Sequence, residues 1–168
     1  MCIRDSFYTS EMGSQVYAAG CRERNENVIG MLCLEMVGYY SREKGSQRAP
    51  ELIPKWLAWL LPKTGDFLAA VGNMRSWRLA LAFRRGFKRG TRTRLFTIAL
   101  PEVINEIRLS DNAAFWDEGY RALMLTDTSF FRNPHYHLPS DTPDTLDYEI
   151  MTEVAKGVAG AVRHIARG

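Results

Sequence analysis

The sequence predicts an α/β domain with a mostly parallel sheet and helices on both faces, a three-layer sandwich. Two observations predict it. Short apolar runs alternate along the chain with longer amphipathic stretches, the pattern of strand–helix–strand units. The runs are punctuated by Gly, Pro or Asn, as strand ends are. With 168 residues, 46% hydrophobic and 24% charged, the chain is of globular composition and long enough to bury a sizeable core.

Gly13 to Glu26 is polar with scattered apolar residues, and Ser14 is a candidate cap for a helix ending near Asn25. Val28 to Val37 is almost continuously apolar and reads as a strand buried on both faces. Ser41 to Asp66 is a long connection holding Pro50, Pro54 and Pro62 and an aromatic run from Trp56 to Leu61. Phe67 to Gly72 reads as a second strand. Ser76 to Gly90 reads as a helix, with Trp77, Leu81, Phe83 and Phe87 expected on the core face and Arg78, Arg85 and Lys88 outside. Thr93 to Leu100 is a third strand, stopped by Pro101. A short helix is expected at Asp111 to Gly119, and a fourth strand at Arg121 to Thr126. A proline-rich loop follows, and Leu146 to Arg167 reads as a long final helix.

No run approaches 18 apolar residues, so no transmembrane segment is expected. Three cysteines without CxxC spacing, Cys2, Cys21 and Cys33, argue against a disulfide framework or a cysteine-rich zinc site. The net charge of +3 is unevenly spread. Phe67 to Pro101 carries eight basic residues and no acid, while the rest has 14 basic against 19 acidic residues. A basic block is a candidate anion surface. With its aromatics expected in the core rather than free to stack, nucleic acid is not expected as a partner.

Open α/β sheets gather sites beyond the carboxyl ends of their strands. Two expected strands run into a carboxylate there, Glu35 and Asp127. Glu35 sits between Leu34 and Met36, and a buried carboxylate needs an arginine, a hydrogen-bond set or a metal. The loop from Phe130 to Thr145 concentrates His135, His137, Asp141, Asp144, Arg132 and Tyr136 among prolines. Imidazole and carboxylate donors of this kind suit zinc. Ser110-Asp111-Asn112 is fully explained as a helix cap.

Taken in order, five pieces resemble one family: Met12-Gly13-Ser14; Leu34 to Tyr39; Ser110-Asp111-Asn112 with Phe115-Trp116; Ala122 to Thr128; and Arg132 to His137 running on to Asp141-Thr142. Together they resemble the C-terminal half of the di-zinc exopeptidases of the bacterial leucyl aminopeptidase type, peptidase family M28. Glutamate carboxypeptidases and glutaminyl cyclases are related to these. The resemblance covers about residues 7 to 165. It implies a zinc-dependent hydrolysis of peptide substrates by a metal-activated water. By position it makes Glu35 a ligand of one zinc and His137 a ligand of the other. It makes Tyr136 a candidate to steady the oxyanion, and places Ser110, Asp111, Phe115 and Asp127 near the substrate.

The His-x-Asp motif, the bridging aspartate and the Glu-Glu pair of that family would lie before Gly13, where this chain has only twelve residues. Residues 1–6 read as a non-native leader, and residues 7–168 as the C-terminal portion of a catalytic domain. The sheet is then expected to be incomplete because the N-terminal half is missing. Zinc is expected to bind poorly, the chain to be inactive by itself, and the exposed truncation surface to favour self-association. A non-catalytic binding module on the same fold is the alternative. Any targeting signal would lie upstream, so no compartment follows.

Overall fold

The computed structural model describes residues 12–49 and 61–167. The expected leader and nearly all of the Trp56 to Leu61 run lie outside the described residues. In chain order the main elements are α1 (Gly13–Glu23), β1 (Met31–Leu34), β2 (Phe67–Asn73), α2 (Trp77–Gly90), β3 (Arg94–Leu100), α3 (Asn112–Asp117), β4 (Ala122–Thr126) and α4 (Tyr148–Ala166).

The four strands form one mixed sheet in the order β1-β4-β2-β3. β1 pairs parallel with β4, Met31 opposite Ala122 and Leu34 opposite Leu125. β2 pairs parallel with β3, while β2 and β4 run antiparallel. Two of the three pairings are therefore parallel. The reversal has a local cause. No described helix carries the chain across the sheet between β1 and β2. Instead Ser41 pairs antiparallel with Gly65, and the Gly45 N–H donates to the Lys63 carbonyl. The chain thus re-enters the sheet at the end where β1 left it.

Alternation along β4 divides the core between the two faces. Leu123 and Leu125 join Leu68 and Ala70 of β2 against α2 and α4, through Leu79, Phe83, Phe87, Val154 and Ala161. Ala122 points the other way, into a second cluster with Ala18 of α1 and Ala114, Phe115 and Trp116 of α3. These faces make the three layers. α2 and α4 touch backbone to backbone: a Cβ on Gly86 would lie 2.5 Å from the Ala161 Cα, and one on Gly90 2.4 Å from the Lys156 carbonyl oxygen.

Three local expectations are corrected. Ser14 is no cap: Met12 holds that position without a side-chain bond, and the buried Ser14 hydroxyl has no partner among the described residues. β1 is shorter than the apolar run. Met36 adopts a left-handed φ of 52°, which turns the chain out of the strand and leaves Leu34 53% exposed on the sheet edge. On α2 the buried stripe is Leu79, Ala80, Phe83, Gly86 and Phe87. Trp77 stands before that stripe and is 48% exposed, with Leu81 also outside. The i, i+3, i+4, i+7 spacing starts from Leu79, and Trp77 does not belong to it.

Candidate functional site

The parallel pairing of β1 with β4 brings the carboxyl ends of two neighbouring strands together, with Glu35 just past one and Asp127 just past the other. The Glu35 N–H still donates to the Leu125 carbonyl, and the Asp127 N–H donates to the Met36 carbonyl at 2.6 Å. Backbone strain gathers here. Met36, Thr128, Ser129 and His137 all have left-handed φ values between 50° and 75°, a conformation that costs a non-glycine residue free energy and clusters at functional loops.

Glu35 is half-buried, not fully enclosed within the apolar strand as expected. It has no ion pair among the described residues, so the structural salt bridge expected as the plain alternative is not formed there. The Ser110 hydroxyl donates to Glu35 Oε2 at 2.6 Å, and the Cys33 thiol lies 3.1 Å from the same hydroxyl. Ser110 is therefore not the cap of α3. Asp111 takes the cap position, exposed and without a side-chain bond, and Asn112 is buried with its amide donating to the Ile107 carbonyl at 2.8 Å. Burial pushes the Cys33 thiol up from its ordinary value, partly offset by the bond to Ser110.

Asp127 is 1% exposed, and it is the most enclosed carboxylate of the site. Its Oδ2 accepts from the N–H of Gly38 at 3.1 Å and of Tyr39 at 2.8 Å, and its Oδ1 accepts from the Ser129 N–H at 2.9 Å. Desolvation raises its pKa, opposed by these donors and by the charge of Arg132. In this chain Asp127 fastens the loop after β1 to the loop after β4.

Arg132 is a second fastener. Its Nη1 donates to the Phe67 carbonyl at 2.9 Å, its Nε to Gln47 Oε1 at 3.0 Å, and the guanidinium lies 4.5 Å from the Phe67 ring centroid. Burial pushes its pKa down to about 10. Gln47 also accepts from the Thr128 hydroxyl at 3.0 Å.

Tyr136 and Glu35 line one cavity of about 250 Å³, whose floor is the sheet face opposite α2 and α4, including Ala69, Val71, Ile98 and Met124. His137 is exposed, its ring stacked on Tyr136 at 3.9 Å between centroids and 15° between planes. His135 instead turns to Ser140, its Nδ1 3.0 Å from the hydroxyl. Phe115 is buried in the α1–α3 core beside Tyr17 and Tyr120. Among the described residues no three His, Cys, Asp or Glu side chains gather as a metal site. Catalytic zinc takes three protein ligands, so the described donors do not by themselves fit it, and no step through a metal is assigned to them. Sequence reasoning did not find Gln47, Cys33 or the link from Ser110 to Glu35. Only the Gly38-to-Tyr39 and Thr126-to-Thr128 pieces hinted at which loops meet.

Residues 9–162 match the family described as Peptidase family M28. The chain belongs to that family. A curated relative is the uncharacterised protein YfbL of Escherichia coli strain K12, 38% identical over 152 residues. That match takes in 90% of this chain and 45% of the relative, so the chain spans less than half the relative's length. The fold is shared with solved structures titled as aminopeptidases. The LapA aminopeptidase of Legionella pneumophila superposes with a TM-score of 0.57 at 21% identity, over 91% of this chain and 35% of that one. An aminopeptidase from Aneurinibacillus sp. strain AM-1 gives 0.56 at 23% identity, over 89% and 29%. The M28 fold thus accounts for the mixed sheet and its flanking helices.

Proposed function

We propose that this chain forms one side of the active site of an M28 hydrolase that cleaves peptide bonds, of aminopeptidase type. The observation that carries the reading is the pairing of Glu35, held by Ser110, with Tyr136 on the wall of one apolar cavity, within the residues that match the family. In this reading Glu35 and His137 are donors to two zinc ions, whose remaining ligands and general base come from elsewhere in the complete domain. Tyr136 offers a hydroxyl donor to the developing oxyanion, the class of interaction that contributes most to acyl-transfer rates. Ser110 orients the Glu35 carboxylate. Asp127 acts on substrate indirectly, by fixing both loops.

Two donors on separate metals do not make a catalytic centre, so the 168-residue chain alone is an inactive part of that site. The test measures zinc content by elemental analysis together with turnover of an aminoacyl anilide. The chain alone should hold little zinc and show background turnover. A chimera joining residues 7–168 to the N-terminal part of the E. coli relative should gain zinc-dependent turnover, which His137→Ala removes and Glu35→Asp only weakens. Two tightly held zinc ions with turnover in the chain alone would refute the incomplete site. The second reading, a non-catalytic binding module, is favoured by the absence of a three-donor group among the described residues. A folded chimera that stays inert and metal-free would establish it.

A further inference from the structure

The outer face of the α2–α4 layer has no role in the site just described. α2 carries Arg78, Arg84, Arg85, Lys88 and Arg89, all exposed, and no acidic residue. None of the five is within ion-pair distance of a carboxylate among the described residues; the described ion pairs are made by Arg24, Arg94, Arg108 and Lys156. Arg75 precedes them and Arg92 follows, both exposed. α4 runs against α2 through the glycine contacts and adds exposed Arg163 and Arg167 to the layer. Arg89 Nη1 reaches His164 Nδ1 at 3.0 Å, which stitches the two helices together on this side.

The same face carries large apolar side chains at its amino-terminal end. Met74, in the short 3-10 turn just before α2, is 60% exposed, and on α2 itself Trp77 and Leu81, one turn apart, are 48% and 39% exposed. The Arg78 guanidinium lies 5.5 Å from the Trp77 ring centroid. Clustered basic residues beside exposed Trp, Leu and Met are what a helix needs to lie on an anionic bilayer: arginines meet phosphate headgroups and the apolar group enters the acyl boundary. A single strand of nucleic acid calls for a groove with several stacking aromatics, and Trp77 is the one exposed aromatic ring of α2, whose other aromatics, Phe83 and Phe87, are buried.

We propose that the outer face of α2, with the carboxyl-terminal end of α4, docks on an anionic membrane surface, with Met74, Trp77 and Leu81 inserted and the arginines on lipid phosphates. The docking is peripheral; no described helix is long and apolar enough to cross a membrane. The close glycine contact between the two helices sets their exposed arginines side by side in one layer.

The test is co-sedimentation of the 168-residue chain with vesicles of phosphatidylcholine alone and with 30% phosphatidylglycerol. Binding is expected to the anionic vesicles, to fall steeply as salt rises, and to be weak on the neutral ones. The triple variant Arg84→Gln, Arg85→Gln, Lys88→Gln should weaken it by on the order of a hundredfold. Trp77→Ser should weaken it with less salt dependence. Arg22→Gln with Arg24→Gln, at the carboxyl end of α1 and just past it on the opposite face, should leave it unchanged. Far-ultraviolet circular dichroism confirms that each variant is folded. Equal binding to neutral vesicles, no binding to anionic ones, or a folded triple variant that binds like the parent would overturn the proposal. Tight binding to an oligonucleotide without vesicle binding would overturn it in favour of nucleic acid.

Discussion

Replacing Asp127 with alanine would strand three backbone N–H groups that now donate to one buried carboxylate. Unmade bonds of buried donors cost about 1–3 kcal/mol each, and some relaxation is expected, so Asp127→Ala should lose about 3 kcal/mol or more. Asp127→Asn keeps an acceptor and should lose less. Urea midpoints measure both, and a loss below about 1 kcal/mol would show that the loops are held by something else. Ser110→Ala should cost about 1 kcal/mol, because Glu35 is half-exposed and water replaces the lost donor. Asp66 is held below the ordinary carboxylate range. Burial opposes this, but the Arg94 guanidinium at 2.5 Å and the Thr64 hydroxyl at 2.7 Å outweigh it. A depressed folded pKa adds stability that is complete above the unfolded value, near pH 4, and lost as pH falls through the folded one. Arg94→Ala should therefore lower the urea midpoint at pH 6 and hardly change it at pH 2, by no more than about 1 kcal/mol since Arg94 is exposed. An equal loss at both pH values would contradict the assignment. Glu35 and Asp127 were legible in the sequence because both follow apolar runs that end in a parallel sheet. The bond from Ser110 to Glu35 was not, because it joins residues 75 apart through a chain path no local pattern encodes. Gln47 carries no signal at all.

At the scale of elements, apolar runs and helix-end signals located the four strands and four main helices of the described residues, since burial on one face leaves a repeat that sequence records directly. It failed at edges. The apolar run from Val28 to Val37 did not reveal that Met36 would turn left-handed, where its carbonyl accepts from the distant Asp127 N–H. Nor did composition separate Trp77 from the core stripe of α2, as a large aromatic reads as buried until the helix phase is known. The α2–α4 contact allows a sharp comparison. Gly86→Ala places a methyl 2.5 Å from backbone of α4 and should destabilise by about 1–3 kcal/mol, the cost of overpacking. Gly13→Ala, with nothing within 4 Å, should be neutral or slightly stabilising. Thermal midpoints of the two variants decide it; similar shifts would mean that the helices separate freely.

Over the whole molecule, the chain belongs to the M28 family, spans less than half of the curated relative, and gathers no group of three metal donors among its described residues. We propose that the outward strand β1, with Leu34 exposed and Ile29 just before it at 57%, is a surface on which two copies meet. Sedimentation velocity should show association that grows with concentration; a monomer throughout the micromolar range would contradict this. β1 has a further consequence. It is four residues long, pairs only with β4 among the described strands, and carries Glu35 at its end. Such an edge opens by local fluctuation while the layers around β2, α2 and α4 stay closed. In hydrogen-exchange measurements, the Glu35 amide should therefore exchange with solvent well before those of Leu68 or Leu123. The carboxylate end of the site would come and go as a small cooperative unit of its own, and whatever binds at Glu35 would slow that exchange without altering the rest of the sheet.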